Sequence, residues 1–366
     1  MKKINVFLMF VSLLFVGIIY AEFKKKYLEN DEERDYRLVK KYLLNDRNLA
    51  LKNIPNSKLP IIWIHSKYEM NARNWLSFNS RNTKNLNQPY KQLMIKSVID
   101  HCGCDFNVCL INDNSFIDLI EHWNIDINKV SEPIKTNIRN LAFARILDNF
   151  GGLILPDSYL CLENIKDLYD KGVENNKLFV GELFSKNINK VENKLTTRTV
   201  YHPSPKFMGC NKENDVIKCY INFLEYLISI DSTDENNFTG SIENWLNDKI
   251  MQDKINVITA DYLGGRDANG KVVTIDNLMG NTFIEYTDLL QGIYVSDDDV
   301  LLRSKYSWFA RLSVSQLLES NTILGKYMLL SSESSCNSIN VSSENAFNSN
   351  KSSSDNSGIS GNSVSI

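Results

Sequence analysis

Apolar residues form a clear helical pattern between residues 138 and 150. They recur at i, i+3, i+4 and i+7, which places them on one face of a helix. These residues are Phe143, Ile146, Leu147 and Phe150. Gly151 and Gly152 come directly afterwards, and a glycine in the left-handed conformation commonly ends a helix. The pattern therefore predicts a helix that stops at the double glycine.

A short apolar run follows the double glycine at once. Leu153-Ile154-Leu155 is typical of a strand that is buried on both faces of a parallel sheet. The apolar run ends at Pro156-Asp157-Ser158, which we expect at the carboxyl end of that strand. Because open α/β sheets bind ligands at the carboxyl ends of their strands, Asp157 is the first candidate for a functional side chain.

Weaker patterns predict the remaining elements. We expect strands at 59–65, 106–112 and 177–184, and helices at 217–230 and 313–328. Ala268-Asn269-Gly270 predicts a hairpin between 262–266 and 271–275, because Asn-Gly suits the primed turns that join antiparallel strands. This mixture of strands and helices favours an α/β domain that carries an antiparallel excursion.

The stretch from the helix to the turn resembles the core of glycosyltransferases with a DxD motif. This group includes capsular-polysaccharide synthesis proteins and yeast-type mannosyltransferase chains. Their signature runs D-x-x-R-x-x-x-L-x-x-x-G-G-x-x-x-D-x-D and, when aligned on Gly151 and Gly152, places the family's leucine on Leu147. The resemblance implies a GT-A-like nucleotide-sugar transferase fold, with a mixed, mostly parallel sheet flanked by helices.

The charged positions of the signature differ in this chain. The family's helix acid falls on Asn140 and its arginine on Phe143, while the two metal-side acids fall on Pro156 and Ser158. In the family, the paired carboxylates hold a divalent cation, Mn²⁺ or Mg²⁺, against the diphosphate of a sugar nucleotide. Only Asp157 remains at this turn. The resemblance therefore makes Asp157 the candidate metal ligand and catalytic carboxylate.

Other residues are candidates for the same site. Asp297-Asp298-Asp299 follow an apolar segment and are either further cation ligands or a solvated turn. His65, at the end of the first predicted strand, either meets the nucleotide or has a structural role. The resemblance adds Asn140, Arg145 and Ser158 as residues that bind the nucleotide sugar.

The resemblance extends more weakly over 59–308. Residues 59–65 look like the family's opening strand, and 68–89 would then form a loop over the nucleotide site. Arg139 and Arg145 flank the family's arginine position, so each either binds phosphate or lies on the helix surface. Residues 207–210 and 238–240 fall where these enzymes carry acceptor-side segments.

The composition is that of an ordinary globular protein. Of 366 residues, 43% are hydrophobic and 23% are charged, which allows a large core and favours one domain of catalytic size. The net charge of −3, with acids and bases interspersed, provides no basic surface for nucleic acid. The sequence shows no Walker loop, G-x-S-x-G elbow or H-E-x-x-H motif, which removes common nucleotide-binding, hydrolase and zinc-protease classes.

The amino terminus predicts a membrane anchor at residues 1–22. An apolar run, Ile4–Tyr20, lies between lysines on both sides, and its length is at the short limit for a membrane helix. A cleaved signal peptide and a buried helix are the alternatives. Lysines on both sides leave the orientation open, and the resemblance favours a domain in a lumen or outside the cell.

The other boundaries follow from composition. Residues 23–57 are strongly charged with apolar residues near helical spacing, which fits either a stalk helix or a first surface helix. We assign 58–330 to the glycosyltransferase-like domain. Residues 331–366 are dominated by Ser and Asn and predict a disordered tail. Asn237 and Asn340 begin glycosylation sequons, which matter only if the domain is lumenal.

The chain has seven cysteines. Their spacing around Cys102, Cys104 and Cys109 is poor for a structural zinc site, which usually needs a second matching pair. Buried thiols are the main interpretation, and a disulfide among these three is the alternative in a lumenal domain. Cys336, in the predicted tail, is the natural unpaired residue.

Two hypotheses from different classes follow. The first is a membrane-anchored transferase that moves a sugar from a nucleotide donor to a glycan acceptor, with Asp157 and the later aspartates holding the cation. The second is a non-catalytic scaffold of the same fold that has lost its metal site and binds a glycan or a protein. Fold-level analogy supports the architecture more strongly than the activity.

Overall fold

The computed structural model describes Tyr20 and residues 59–66, 88–132, 134–184, 201–230, 235–301 and 305–333. All the elements below belong to the compact unit that begins at Ser57. The predicted stalk at 23–57 lies outside the described residues, as do most of the loop at 68–89 and most of the tail at 331–366.

Strands and helices are interspersed along this unit. The strands are β1 (Ile61–His65), β2 (Asn107–Ile111), β3 (Gly152–Pro156), β4 (Tyr159–Cys161), β5 (Leu178–Phe184), β6 (Tyr201–Cys210), β7 (Ile255–Ile258) and β8 (Gly292–Tyr294). The helices are α1 (Pro89–Cys102), α2 (Phe116–Leu119), α3 (Ile134–Phe150), α4 (Lys166–Gly172), α5 (Asp215–Ser229), α6 (Glu235–Met251), α7 (Ile275–Leu278), α8 (Asp297–Leu301), α9 (Val314–Leu318) and α10 (323–333).

Six of the strands form one mixed sheet in the order β2-β1-β3-β6-β5-β7. Strand β1 is parallel to β2 and β3, and β5 is parallel to β7, whereas β6 is antiparallel to both of its neighbours. Strands β4 and β8 form a separate antiparallel pair. Helices pack beside the strands, with α3 against α5 and α1 against β4. The predicted α/β class, with a mixed, mostly parallel sheet flanked by helices, is confirmed.

The double glycine joins α3 to the centre of this sheet. Gly151 has a φ of +68° and Gly152 a φ of +102°, values that side chains with a Cβ rarely adopt. A Cβ on Gly152 would lie 2.2 Å from the carbonyl oxygen of Ile61. The carbonyl of Gly151 accepts a hydrogen bond from Trp63 Nε1 at 3.0 Å. The two glycines thus end the helix and let β3 pair closely with β1.

Strand β3 lies where the apolar pattern predicts a buried strand. Leu153, Ile154 and Leu155 are all buried, and β3 pairs with β1 in a register that sets Pro156 opposite His65. Asp157 therefore follows β3 at the same edge of the sheet where β1 ends. This is the position that the sequence predicts.

Two predicted elements differ from the structure. The hairpin around 268–270 is a tight turn with a single antiparallel bridge, Arg266 to Val272, instead of two strands. The helix predicted over 313–328 is divided into α9 and α10. The reason is local capping, because Thr322 Oγ1 accepts a hydrogen bond from the Gly325 amide at 3.0 Å and so begins a new helix. Helix α10 continues to 333, three residues beyond the predicted domain boundary.

Candidate active site

Three charged side chains meet beyond the carboxyl end of β3. We call Lys91, Asp157 and Asp297 the Lys91 cluster. The Lys91 ammonium donates to Asp157 Oδ2 at 3.1 Å and to Asp297 Oδ2 at 2.9 Å. The three residues come from the first turn of α1, the turn after β3 and the first residue of α8. The fold therefore brings together groups that lie 66 and 206 positions apart in the chain.

The members of the Lys91 cluster differ in exposure. The Lys91 and Asp157 side chains are 8% and 6% exposed, whereas that of Asp297 is 24% exposed. Burial opposes a charge on Lys91, but the carboxylates of Asp157 and Asp297 more than offset it and raise the pKa of Lys91 above its ordinary value. The ammonium therefore stays charged at neutral pH, and Asp297 is the member that a ligand reaches first.

One oxygen of the Lys91 cluster lacks a partner. Asp297 Oδ1 is shielded from solvent and accepts no hydrogen bond from any described residue. A buried carboxylate oxygen without a donor is costly, so this atom has capacity for a hydrogen bond from a ligand or a water. With two carboxylates and one ammonium, the cluster also carries an excess negative charge. It is suited to hydroxyl donors or to positive charge.

The predicted cation site is not present as a set of oxygen ligands. Asp157 and Asp297 do meet, as the metal hypothesis requires, but they meet at an ammonium group. Among the described residues, no three His, Cys, Asp or Glu side chains are grouped so that they could hold a metal ion. The arrangement therefore does not fit a divalent cation while Lys91 is in place.

A second charged network lies at the ends of β1 and β2. We call His65, Asp113 and Arg139 the Asp113 network. Arg139 donates to both Asp113 oxygens, from Nε at 2.9 Å and from a terminal nitrogen at 2.7 Å. His65 Nε2 lies 2.9 Å from Asp113 Oδ1. Burial alone would raise the pKa of Asp113, but the contacts with His65 and Arg139 hold it well below its usual range.

Aromatic rings fix His65 within the Asp113 network. Its ring stacks on Phe116 at 5.7 Å and meets the edge of Phe143 at 5.1 Å. Phe143 occupies the position that the DxD signature gives to an arginine, so the structure replaces a charged contact there with ring packing. The predicted role of His65 in nucleotide binding stays a prediction, and its observed partners are those of a packed structural histidine.

The other predicted nucleotide-binding residues lie in different surroundings. Arg145 pairs with Glu225 of α5 at 2.7 Å and sits over the ring of Trp123, and none of its described contacts reaches the Lys91 cluster. Asn140 is half-buried on α3. Ser158 is buried, and its carbonyl accepts from the Val295 amide at 3.0 Å. This bond ties the turn after β3 to the segment that leads into α8.

The three consecutive aspartates have separate positions. Asp297 joins the Lys91 cluster, whereas Asp299 lines a small cavity together with Glu182 and Ser296. The side chain of Asp298 lies outside the described part of the chain. Of the two aspartates whose side chains are described, Asp297 is the one that shares Lys91 with Asp157.

Lys91 and Asp113 are the residues that sequence reasoning missed. Lys91 lies in a segment with no motif, and only its place in the first turn of α1 turns it towards Asp157. Asp113 follows the predicted strand 106–112, so the rule that led to Asp157 also applies to it. Arg139 was considered for phosphate, but it binds a carboxylate of its own chain.

The cysteines in the described residues are free thiols. Cys102 and Cys161 are both buried, and their sulfurs lie 3.6 Å apart. Cys102 thus neighbours a cysteine of β4, so the alternative of a disulfide among Cys102, Cys104 and Cys109 is wrong for this structure. Burial raises the pKa of Cys109 to about 12, which makes that thiol unreactive.

The membrane prediction concerns residues outside the described set. None of the helices that the structure describes combines the length and the apolar character needed to cross a bilayer. The predicted anchor at 4–20 lies outside the described residues except for Tyr20.

Comparisons with known proteins give remote structural similarities. No family model and no curated protein matches the sequence. The glycosyltransferase GlyE of Streptococcus pneumoniae TIGR4 is 11% identical, with a TM-score of 0.34, over 57% of this chain and 47% of that one. The galactosyltransferase LgtC, in complex with donor and acceptor sugar analogs, is 11% identical, with a TM-score of 0.36, over 74% of this chain and 95% of that one. This chain thus spans about half the length of GlyE, and a function has to be inferred from the side chains of the site.

Proposed function

We propose that this protein transfers a sugar from a nucleotide-sugar donor to a glycan acceptor, with the Lys91 cluster as the centre of its active site. The observation that carries the proposal is the meeting of Asp157 with Lys91 and Asp297 at the carboxyl edge of the sheet. The frame of the DxD signature supports it, because Leu147, Gly151 and Gly152 lie in the α3-β3 unit where the resemblance places them.

The charge of the Lys91 cluster suits this chemistry. In glycoside cleavage, positive charge develops on the sugar ring in the transition state. Fixed negative charge beside the ring stabilises that state without reorganisation during the reaction. Asp297 is the more exposed carboxylate and would face the sugar. Asp157 and Lys91 would hold Asp297 in place, because both are almost fully buried behind it.

A membrane anchor is part of the proposal. The apolar run Ile4–Tyr20 between lysines supports it. We expect the full-length chain to fractionate with membranes and a chain lacking residues 1–22 to be recovered as a soluble, folded domain. Full-length protein in the soluble fraction with its first residue intact would contradict the anchor.

The alternative is a non-catalytic scaffold that binds a glycan. The Lys91 cluster is compatible with it, since the Asp297 carboxylate can contact a bound sugar whether or not the sugar is transferred. The two functions differ in turnover of the donor, so a kinetic experiment separates them.

The experiment is a screen of nucleotide sugars against the full-length chain, with glycan acceptors and with water alone. The readout is release of the nucleoside diphosphate. We expect one donor to be turned over, and Asp157→Asn to lower turnover by about a hundredfold, corresponding to about 3 kcal/mol of transition-state stabilisation. The loss of folding stability should be much smaller, because an amide of the same shape still accepts from Lys91.

Asp170→Asn is the matched control. Asp170 is an exposed carboxylate that pairs with Lys166 on α4, and its removal should leave turnover unchanged. Binding of a glycan without release from any donor would identify the scaffold instead. Equal turnover by the parent and Asp157→Asn would mean that the negative charge of Asp157 takes no part in stabilising the transition state.

A further inference from the structure

We infer that Lys91 is an internal cation that closes the active site to divalent metal ions. Its ammonium group occupies the place between Asp157 and Asp297 that a bridging Mn²⁺ or Mg²⁺ would need. The inference concerns cation binding by this chain and holds whether or not the protein transfers a sugar.

The distances identify the contacts as hydrogen bonds. Lys91 Nζ lies 3.1 Å and 2.9 Å from the two Oδ2 atoms, whereas Mg²⁺ holds its oxygen ligands at about 2.0–2.1 Å. A metal ion that bridges the same two oxygens would overlap the ammonium. Metal binding between these oxygens therefore requires the Lys91 side chain to leave.

The surroundings of Lys91 oppose movement of its side chain out of the cluster. Its side chain is 8% exposed, and it belongs to the first turn of α1, whose neighbouring residues Tyr90 and Met94 are buried in the core formed with β8, α9 and α10. Removing the ammonium would leave the buried Asp157 carboxylate beside a second negative charge, which costs far more than an exposed ion pair does. The interaction of a metal ion with the carboxylates would have to offset this energetic cost for the ion to bind.

The surrounding described residues offer no alternative set of ligands. Asp299 lines a cavity together with Glu182 and Ser296. No grouping of three His, Cys, Asp or Glu side chains suitable for a metal occurs within the described ranges. The Lys91 ammonium is thus the counter-ion that the described residues place between the two aspartates.

Mn²⁺ binding to the full-length chain tests the inference. Electron paramagnetic resonance of free Mn²⁺ and thermal unfolding are measured for the parent, for Lys91→Met and for Lys166→Met. Lys166→Met is the matched control because it removes an ammonium from an exposed aspartate partner. We expect the parent and the control to bind no Mn²⁺ and Lys91→Met to bind one ion per chain. The Tm of Lys91→Met should rise with Mn²⁺ concentration, because a ligand of the folded state stabilises it.

Several results would overturn the inference. One is Mn²⁺ binding by the parent that Asp157→Asn abolishes. Another is a folded Lys91→Met that binds no Mn²⁺, since the ammonium would then not be what excludes the metal.

A folding defect in Lys91→Met is itself informative. If this variant folds only with Mn²⁺, a divalent ion replaces the ammonium and the inference is supported. If it fails with and without Mn²⁺ while Lys91→Met/Asp157→Asn folds, a divalent ion cannot replace Lys91 and the inference is wrong. If neither variant folds, Mn²⁺ binding by the parent chain is the deciding measurement. No Mn²⁺ binding by the parent supports the inference, and Mn²⁺ binding that is lost in Asp157→Asn overturns it.

Discussion

The Lys91 cluster and the Asp113 network lie at the same edge of the sheet and pair acidic and basic side chains in opposite ways. The Lys91 cluster holds one cation between two carboxylates, after β3. The Asp113 network holds one carboxylate between two basic side chains, after β1 and β2. Strands β1 and β3 are direct neighbours, so the two regions lie on adjacent strand ends.

The two regions differ most in how completely their polar atoms are satisfied. Both oxygens of Asp113 accept hydrogen bonds, and aromatic rings pack on His65. Asp297 Oδ1 in the Lys91 cluster is buried and accepts none from the described residues. A satisfied buried network stabilises one conformation, whereas a partly satisfied one leaves capacity for a ligand. We therefore expect the Asp113 network to matter for stability, and we propose the Lys91 cluster for ligand contact.

The largest expected effect is on stability, from breaking the Lys91 cluster. Lys91→Met should lower the free energy of unfolding by about 3–5 kcal/mol, because it leaves charged carboxylates without their shared buried ammonium. Urea unfolding followed by circular dichroism measures the change through the midpoint. Lys166→Met, which breaks an exposed pair, should cost less than about 1 kcal/mol. A similar small cost for both would show that the Lys91 cluster is solvated.

The next effect separates ligand contact from stability. Asp297→Asn should reduce turnover of the donor by about a hundredfold if Asp297 faces the sugar, while the amide keeps a hydrogen bond from Lys91. The measurement is nucleoside diphosphate release beside urea unfolding of the same preparation. Asp113→Asn is the contrasting variant, because it should lower stability and leave turnover per folded molecule unchanged. The reverse result would exchange the roles assigned to the two regions.

A smaller loss of stability is expected from the Asp113 network. Arg139→Met should cost about 2 kcal/mol, below the usual range for a broken buried pair, because Asp113 keeps His65 as a partner. Arg145→Met is the control on the same helix, since its pair with Glu225 is more exposed and should contribute under about 1 kcal/mol. Equal losses in the free energy of unfolding would mean that the bidentate contact of Arg139 stabilises the fold no more than the exposed pair of Arg145 does.

The sequence predicts the centre of this fold because local patterns determine it. The helical stripe, the double glycine and the apolar run are contiguous, and each restricts the backbone without help from distant residues. The turn at Pro156-Asp157-Ser158 follows from them. The apolar pattern does not predict the break between α9 and α10, because the pattern is continuous and the new helix begins at a single threonine cap.

The partners of Asp157 were harder to predict. The sequence named Asp297 as a candidate, but only as one of three aspartates. Lys91 carries no motif, and its contact with Asp157 depends on how α1 docks across 66 residues of chain. The resemblance to DxD enzymes predicts a metal ion beside Asp157, whereas in the structure a lysine from another element supplies the positive charge. Long-range docking of this kind is not encoded in local periodicity.

The smallest expected effect is the dependence of stability on acid, which reports the Asp113 network. The pKa of Asp113 is depressed in the folded protein, so its contribution is present above the unfolded pKa of about 4 and is lost as pH falls towards the folded value. The pKa of Lys91 is raised, so the stabilisation that depends on the charge of its ammonium is lost as pH rises into the alkaline range. Urea midpoints between neutral pH and about pH 3 should therefore fall less steeply for Asp113→Asn than for the parent, because the variant no longer releases a proton there on folding. Arg139→Met should show an intermediate slope, since His65 still holds the carboxylate ionised. Parallel slopes for all three proteins would mean that Asp113 titrates alike in the folded and unfolded chains, and the contrast between a stabilising network and a ligand-binding cluster would lose its electrostatic basis.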